Sequence, residues 1–160
     1  MARWDTPEWR TERDAKLLAW MCGNKDAVYT VLALSTIAEV WDDIYDGDKP
    51  TPKEMVNRAF SLALVDLQVN EFYKANEALF YALTVTSING WLDANEWQRS
   101  VAERERMTAF YLRNLGIEIV MLAVFRASGW EHLRKVSLEI RSYFDHEEFK
   151  HWNLEHAPIP

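Results

Sequence analysis

The sequence predicts an all-α fold, a compact helical bundle of about five or six helices. Three observations carry this expectation. Five glycines and five prolines in 160 residues leave few of the residues that most often break a helix. Apolar residues recur at helical spacing over long stretches. Capping signals stand where several of those stretches begin. The length fits one domain. With 49% of residues hydrophobic, a sizeable core is available and disorder is not expected away from the ends. Several helices are apolar over much of their circumference, the pattern of faces that a further copy of the chain would cover. The bundle is therefore expected to be a homo-oligomer.

The elements follow in order. The first segment, MARWDTPEWRTERD, reads as an irregular arm entering a helix near residue 11. Gly23-Asn24 breaks that helix. A second helix is expected from about Lys25 to Asp46, closed by Gly47 through Pro50. Thr51 can cap the next one, with Pro52 in its first position and Glu54 completing a reciprocal box. That helix begins VNRAFSLALVDLQVNEF and continues beyond Tyr73, with a bend around Lys74 to Asn76. Asn89-Gly90 marks a break, or else Gly90 permits close helix packing inside a longer element. WLDANEWQ, 91–98, is a short helix or a connection. Ser100 and Glu103 form a second box, opening a helix that reaches about Ala127. Ser128-Gly129 separates it from a last helix, Trp130 to Phe144. Residues 1–144 then make one helical domain with its N-terminal arm, and 145–160 a loosely ordered polar tail.

Charge and cysteine content narrow the function. The formal net charge is −7. No dense basic patch is present, so nucleic acid is not an expected partner, although metal ions could mediate contact with a nucleotide. Cys22 is the only cysteine, which excludes an intramolecular disulfide and a multi-cysteine zinc site. It has no histidine near it in sequence and is expected to pack as a small apolar group. With no signal peptide, a cytoplasmic location is the expectation. The apolar run IVMLAVF, 119–125, flanked by Arg113 and Arg126, is shorter than a bilayer span, so no membrane partner is expected. Eight tryptophans suit either a core or the centre of an interface.

The acidic residues raise the question of chemistry. AEVWDDIYDGDKPTPKE, 38–54, puts Glu39, Asp42, Asp43 and Asp46 into eight positions. On a helix they fall within an arc of about 100°, continuing the stripe of Val28, Leu32 and Ser35. Like charges at this spacing repel, and the helix dipole disfavours them near its C-terminus. A divalent cation would offset both terms; full solvation of a wet helix end is the alternative. In FYLRNLGIEIVMLAVF, 110–125, Asn114 and Glu118 stand one turn apart, in a band with Met107, Tyr111, Met121 and Phe125. A carboxylate on such a face needs an arginine, an amide, a metal or a proton. Asp66 and Asn70 are a further pair one turn apart, with Glu71 and Glu77 less specific, and a structural polar network is an equal reading.

Oxygen ligands suit Mg²⁺ or Mn²⁺ rather than zinc. The candidate metal set is Glu39, Asp42, Asp43, Asp46, Asp66, Asn70 and Glu118. Asp43 or Glu118 would position or deprotonate a metal-bound water, and Arg104, Arg106 or Arg113 would hold phosphates. Glu-x-x-His occurs once, at Glu148 and His151, whereas a dinuclear iron bundle draws such a pair from each of two helices. His132, His146, His151 and His156 all lie late in the chain and read as surface or intersubunit residues.

The segment VWDDIYDGD resembles the aspartate-rich motif of helical isoprenoid and terpene synthases, with Asp42, Asp43 and Asp46 on its D-D-x-x-D pattern. That resemblance implies Mg²⁺ and a substrate diphosphate at these aspartates. The chain is also similar in size to the all-helical nucleoside triphosphate pyrophosphatases. Glu39 and Asp42 resemble their first E-x-x-E pair, while Asp66 and Asn70 stand for the second at a different spacing and with one amide. The expected function is thus Mg²⁺- or Mn²⁺-dependent chemistry on a diphosphate-containing small molecule, hydrolysis first. The alternative is a non-catalytic structural or protein-interaction module, associating through apolar and tryptophan-bearing helix faces.

Overall fold

In the structure, a computed structural model, residues 6–47, 50–145 and 148–157 are described. Thr6 opens α1 (Pro7–Trp20): its hydroxyl accepts from the Trp9 N–H at 3.2 Å, and Pro7 takes a position where no amide hydrogen is needed. The helix therefore starts earlier than the expected residue 11, because Thr6 and Pro7, within the expected arm, supply a cap and a first-turn proline. Its end is a Schellman turn, with Gly23 N–H donating to Leu18 O and Cys22 N–H to Ala19 O. Cys22 takes the left-handed position, at φ 52°. Asn24 then caps α2 (Lys25–Asp46), accepting from Ala27 N–H at 3.0 Å, and left-handed Gly47 closes it.

The third helix, α3 (Lys53–Ser61), begins one residue later than expected. Pro52 is extended, and its carbonyl accepts from Met55 and Val56, so the Thr51–Glu54 box does not cap it. A π turn (Leu62–Asp66) follows, then the helical turn α4 (Leu67–Val69). The break falls at Asn70, not at the expected bend over 74–76. From there α5 (Glu71–Trp97) runs through 89–90 and takes in 91–97. Gly90 stays helical because it is needed for close approach: a Cβ there would lie 2.6 Å from Leu115 Cδ1.

The second predicted box also shifts. Ser100 accepts from Ala102 N–H and bonds the Glu105 carboxylate, while α6 (Glu103–Arg113) starts without a side-chain cap. A 3₁₀ turn (Asn114–Gly116) joins it to α7 (Ile117–Ser128). Left-handed Gly129 separates α8 (Trp130–Phe144) as anticipated. The expected polar tail carries α9 (Phe149–His156), whose Trp152 is 2% exposed. Burial of that ring contributes roughly 1.5–3 kcal/mol, and Phe149 against Phe110 and the Arg106–Asn153 bond add to the docking.

The chain is all-α, with no strand among the described residues. It divides into two units. Met1–Glu77 with Ala123–Leu133 form the first. Its core includes Ala33, Leu62 and Leu67, with Leu34, Ile37 and Tyr73 packed against them. Ala78–Leu122 with Arg134–Pro160 form the second. There Ala94, Ala109, Phe110 and Trp152 are buried together, with Leu112 and Phe149 alongside. The apolar run at 119–125 belongs to a continuous helical stretch, Glu103–Ser128, that is long and apolar enough to cross a membrane by length and composition. Core helices pass the same test, and a third of this stretch's most apolar window is buried.

Gly90→Val is expected to lower stability by about 2 kcal/mol, because the added methyls overpack against Leu115 and Leu112. Thermal and urea unfolding of both proteins measure the loss.

Candidate functional site

The acidic arc lies on the last two turns of α2. The stripe is buried at Val28, half-buried at Leu32 and exposed at Ser35. Glu39 and Asp46 are exposed, whereas Asp42 and Asp43 are half-buried. No basic residue stands in the last turn of the helix to offset its dipole. Trp41, Ile44 and Tyr45 are exposed on the same turns.

Asp66 and Asn70 have defined protein partners. The π turn carries Asp66 to α2, where its Oδ2 accepts from Tyr29 Oη at 2.8 Å. Arg58 also donates to that oxygen at 2.7 Å, and its other terminal nitrogen reaches Tyr29 Oη at 3.3 Å. The bond to Tyr29, followed by that to Asp66, raises the Arg58 pKa above its usual value. Asn70 is 9% exposed. Its oxygen accepts from Tyr73 N–H at 2.8 Å, capping α5, and lies 3.2 Å from Thr30 Oγ1. Its amide nitrogen donates to Asp26 O at 3.2 Å. Nearby, burial and then the charge of Glu77 push the Tyr73 phenol upward. Glu71 pairs with Lys74.

Glu118 takes the arginine partner that a carboxylate on an apolar face required: Arg141 on α8 lies 2.7 Å from its Oε1. Both side chains are partly exposed. Asn114 donates to Phe110 O within its own helical run. Of the arginines considered for phosphate, Arg104 is exposed. Arg106 is buried and bonded to Asn153 and Ser100 O, and Arg113 stands over the Trp152 ring. Among the described residues, no group of three or more His, Cys, Asp or Glu side chains is arranged to hold a metal ion.

Cys22 corrects an expectation. It is exposed, and its Sγ lies 3.6 Å from His132 Nε2. The left-handed turn that ends α1 lifts the thiol outward, and a partner 110 residues distant leaves no local trace. His132 Nε2 also lies 3.0 Å from Trp20 O, so that nitrogen carries the proton and donates. His151 is exposed, while His156 stacks on Trp152. His146 lies outside the described residues.

The tryptophans divide between buried and exposed positions. Trp20 and Trp152 are buried, whereas Trp41, Trp97 and Trp130 are exposed. Exposed apolar side chains also line single helices. Phe60, Leu64, Val65 and Val69 follow one another along α3, the π turn and α4. Tyr81, Val85 and Leu92 form a stripe on α5, and Met107 and Tyr111 one on α6.

Asn70→Ala is expected to cost about 1–2 kcal/mol, chiefly through the lost cap on the Tyr73 amide, since the Asp26 carbonyl keeps the Thr30 hydroxyl as a donor. Denaturant unfolding measures it. Comparison of the chain with protein-family profiles, curated proteins and solved structures returned no match.

Proposed function

We propose that this chain is a helical interaction module that associates with further copies of itself through apolar helix faces. The row Phe60, Leu64, Val65 and Val69 is the observation that carries this reading. All four are more than half exposed, and Leu64 and Val69 are about 70% exposed. A π turn has nearly four and a half residues per turn, so positions 60, 64, 65 and 69 stay in register along one side. Contiguous apolar surface of this kind marks interaction sites on soluble proteins. Charged residues of both signs lie at the two ends of the row, Lys53 and Glu54 before it and Glu71 and Lys74 after it. Such a rim suits pairing with an identical surface better than capture of a strongly charged partner.

Leu64→Glu tests the reading. In sedimentation experiments from micromolar to millimolar concentration, the wild type is expected to associate. The variant should weaken association by tenfold or more while keeping its helical content, since Leu64 is exposed. A wild type that stays monomeric throughout would remove the proposal.

A second reading keeps Mg²⁺- or Mn²⁺-dependent chemistry on a diphosphate-containing small molecule, with hydrolysis as the first reaction. It is favoured by Glu39, Asp42, Asp43 and Asp46 at the negative pole of α2. Asp43 is its catalytic candidate on this helix. Calorimetric titration with either ion, with and without inorganic diphosphate, should give saturable heat that Asp42→Asn and Asp43→Asn reduce. Absence of heat in both conditions would discard this chemistry.

A further inference from the structure

Arg106 and Arg113 stand seven residues apart on α6, and so share one face of it, with Phe110 between them. Helix α9 lies across that strip. Its Trp152 ring packs 5.6 Å from Phe110 and 5.9 Å from the Arg113 guanidinium carbon, measured to ring centroids. The neighbouring Asn153 accepts from Arg106 Nε at 2.6 Å.

At this crossing one buried donor has no acceptor, and two guanidinium groups bond only neutral oxygens. Arg106 is only 7% exposed, yet its bonds go to the neutral oxygens Asn153 Oδ1 and Ser100 O, each at 2.6 Å. Among the described residues no carboxylate forms an ion pair with it. The Arg113 guanidinium reaches a neutral oxygen too, Gln98 Oε1 at 3.5 Å. Trp152 Nε1–H is buried and has no hydrogen-bond partner among the described residues. A buried cation without counter-charge is costly, and an indole N–H can only donate.

We propose that the α6–α9 crossing binds an oxyanion group, phosphate or carboxylate, through Arg106, Arg113 and the Trp152 indole N–H. Guanidinium groups present planar, paired donors that match either oxyanion. The chain's net charge of −7 repels anions at long range, so local donors must supply the affinity. This assignment stands apart from both readings above, because it uses neither the α3–α4 row nor the α2 acids.

The test is a titration of the full-length ¹⁵N-labelled protein, following the indole N–H resonances. Trp152→Phe assigns the relevant one of eight. Inorganic phosphate and acetate are added in separate arms at constant ionic strength, against chloride. The Trp152 resonance should move saturably while the exposed indoles stay still. Movement with phosphate alone defines a phosphate site, and movement with acetate as well defines a general oxyanion site; both support the proposal. Arg113→Gln, on an exposed residue that should leave folding intact, is expected to weaken binding by about tenfold or more. Arg106→Lys, which keeps the charge but loses the fork, should weaken it also. No saturable movement with either anion, equal movement of all indoles, or an unchanged response in Arg113→Gln would overturn the assignment.

Discussion

The carboxamide of Asn70 joins three segments through one small group. Its oxygen caps the first turn of α5 and its nitrogen holds the start of α2, while its own backbone ends the α3–α4 run. Without this cap, the Tyr73 amide in the first turn of a 27-residue helix would lose its acceptor. An alanine at this position cannot satisfy either demand. The setting of the first turn of α5 against the start of α2 depends on this amide. Burial makes the dependence strict, because water cannot easily replace the missing partner.

The π turn just before it has a related effect. One extra residue in a single turn moves Asp66 to Tyr29 and Arg58, so a polar cluster fixes the widened turn against α2. The same insertion keeps four apolar side chains aligned on the opposite, exposed side. Widened turns of this sort are uncommon and are often kept where they serve a site. Here the inward polar group and the outward apolar row are two results of one local geometry.

Much of the helical layout was legible. Gly23-Asn24, Gly47 and Ser128-Gly129 announced real helix ends, because left-handed backbone and short polar caps leave a strong local mark. The sequence was less informative where long-range contacts decide. Gly90 reads as a break in isolation and becomes a packing position only through Leu115. The tail looks polar residue by residue, yet Trp152 docks it on Phe110 and Ala109. For the candidate site, Glu118 was rightly seen to need a partner, and Arg141 was among the types expected. Asp66 and Asn70 were singled out for their spacing, but Tyr29, Thr30 and Asp26, which engage them, lie 37 to 44 residues away. No periodicity announces pairings of that length. Arg106 was noticed as a charge; its burial could not be, because an arginine on α6 looks the same whether or not another helix covers it.

The turn that ends α1 has a practical corollary. The chain has a single cysteine, and Cys22 projects from left-handed backbone onto the surface, beside an imidazole anchored to Trp20 O. Thiol-directed dyes would therefore mark one defined spot without any engineering. That spot sits where α1 meets the first turn of α8, so a fluorophore attached to it becomes a natural reporter of whether those two segments stay together.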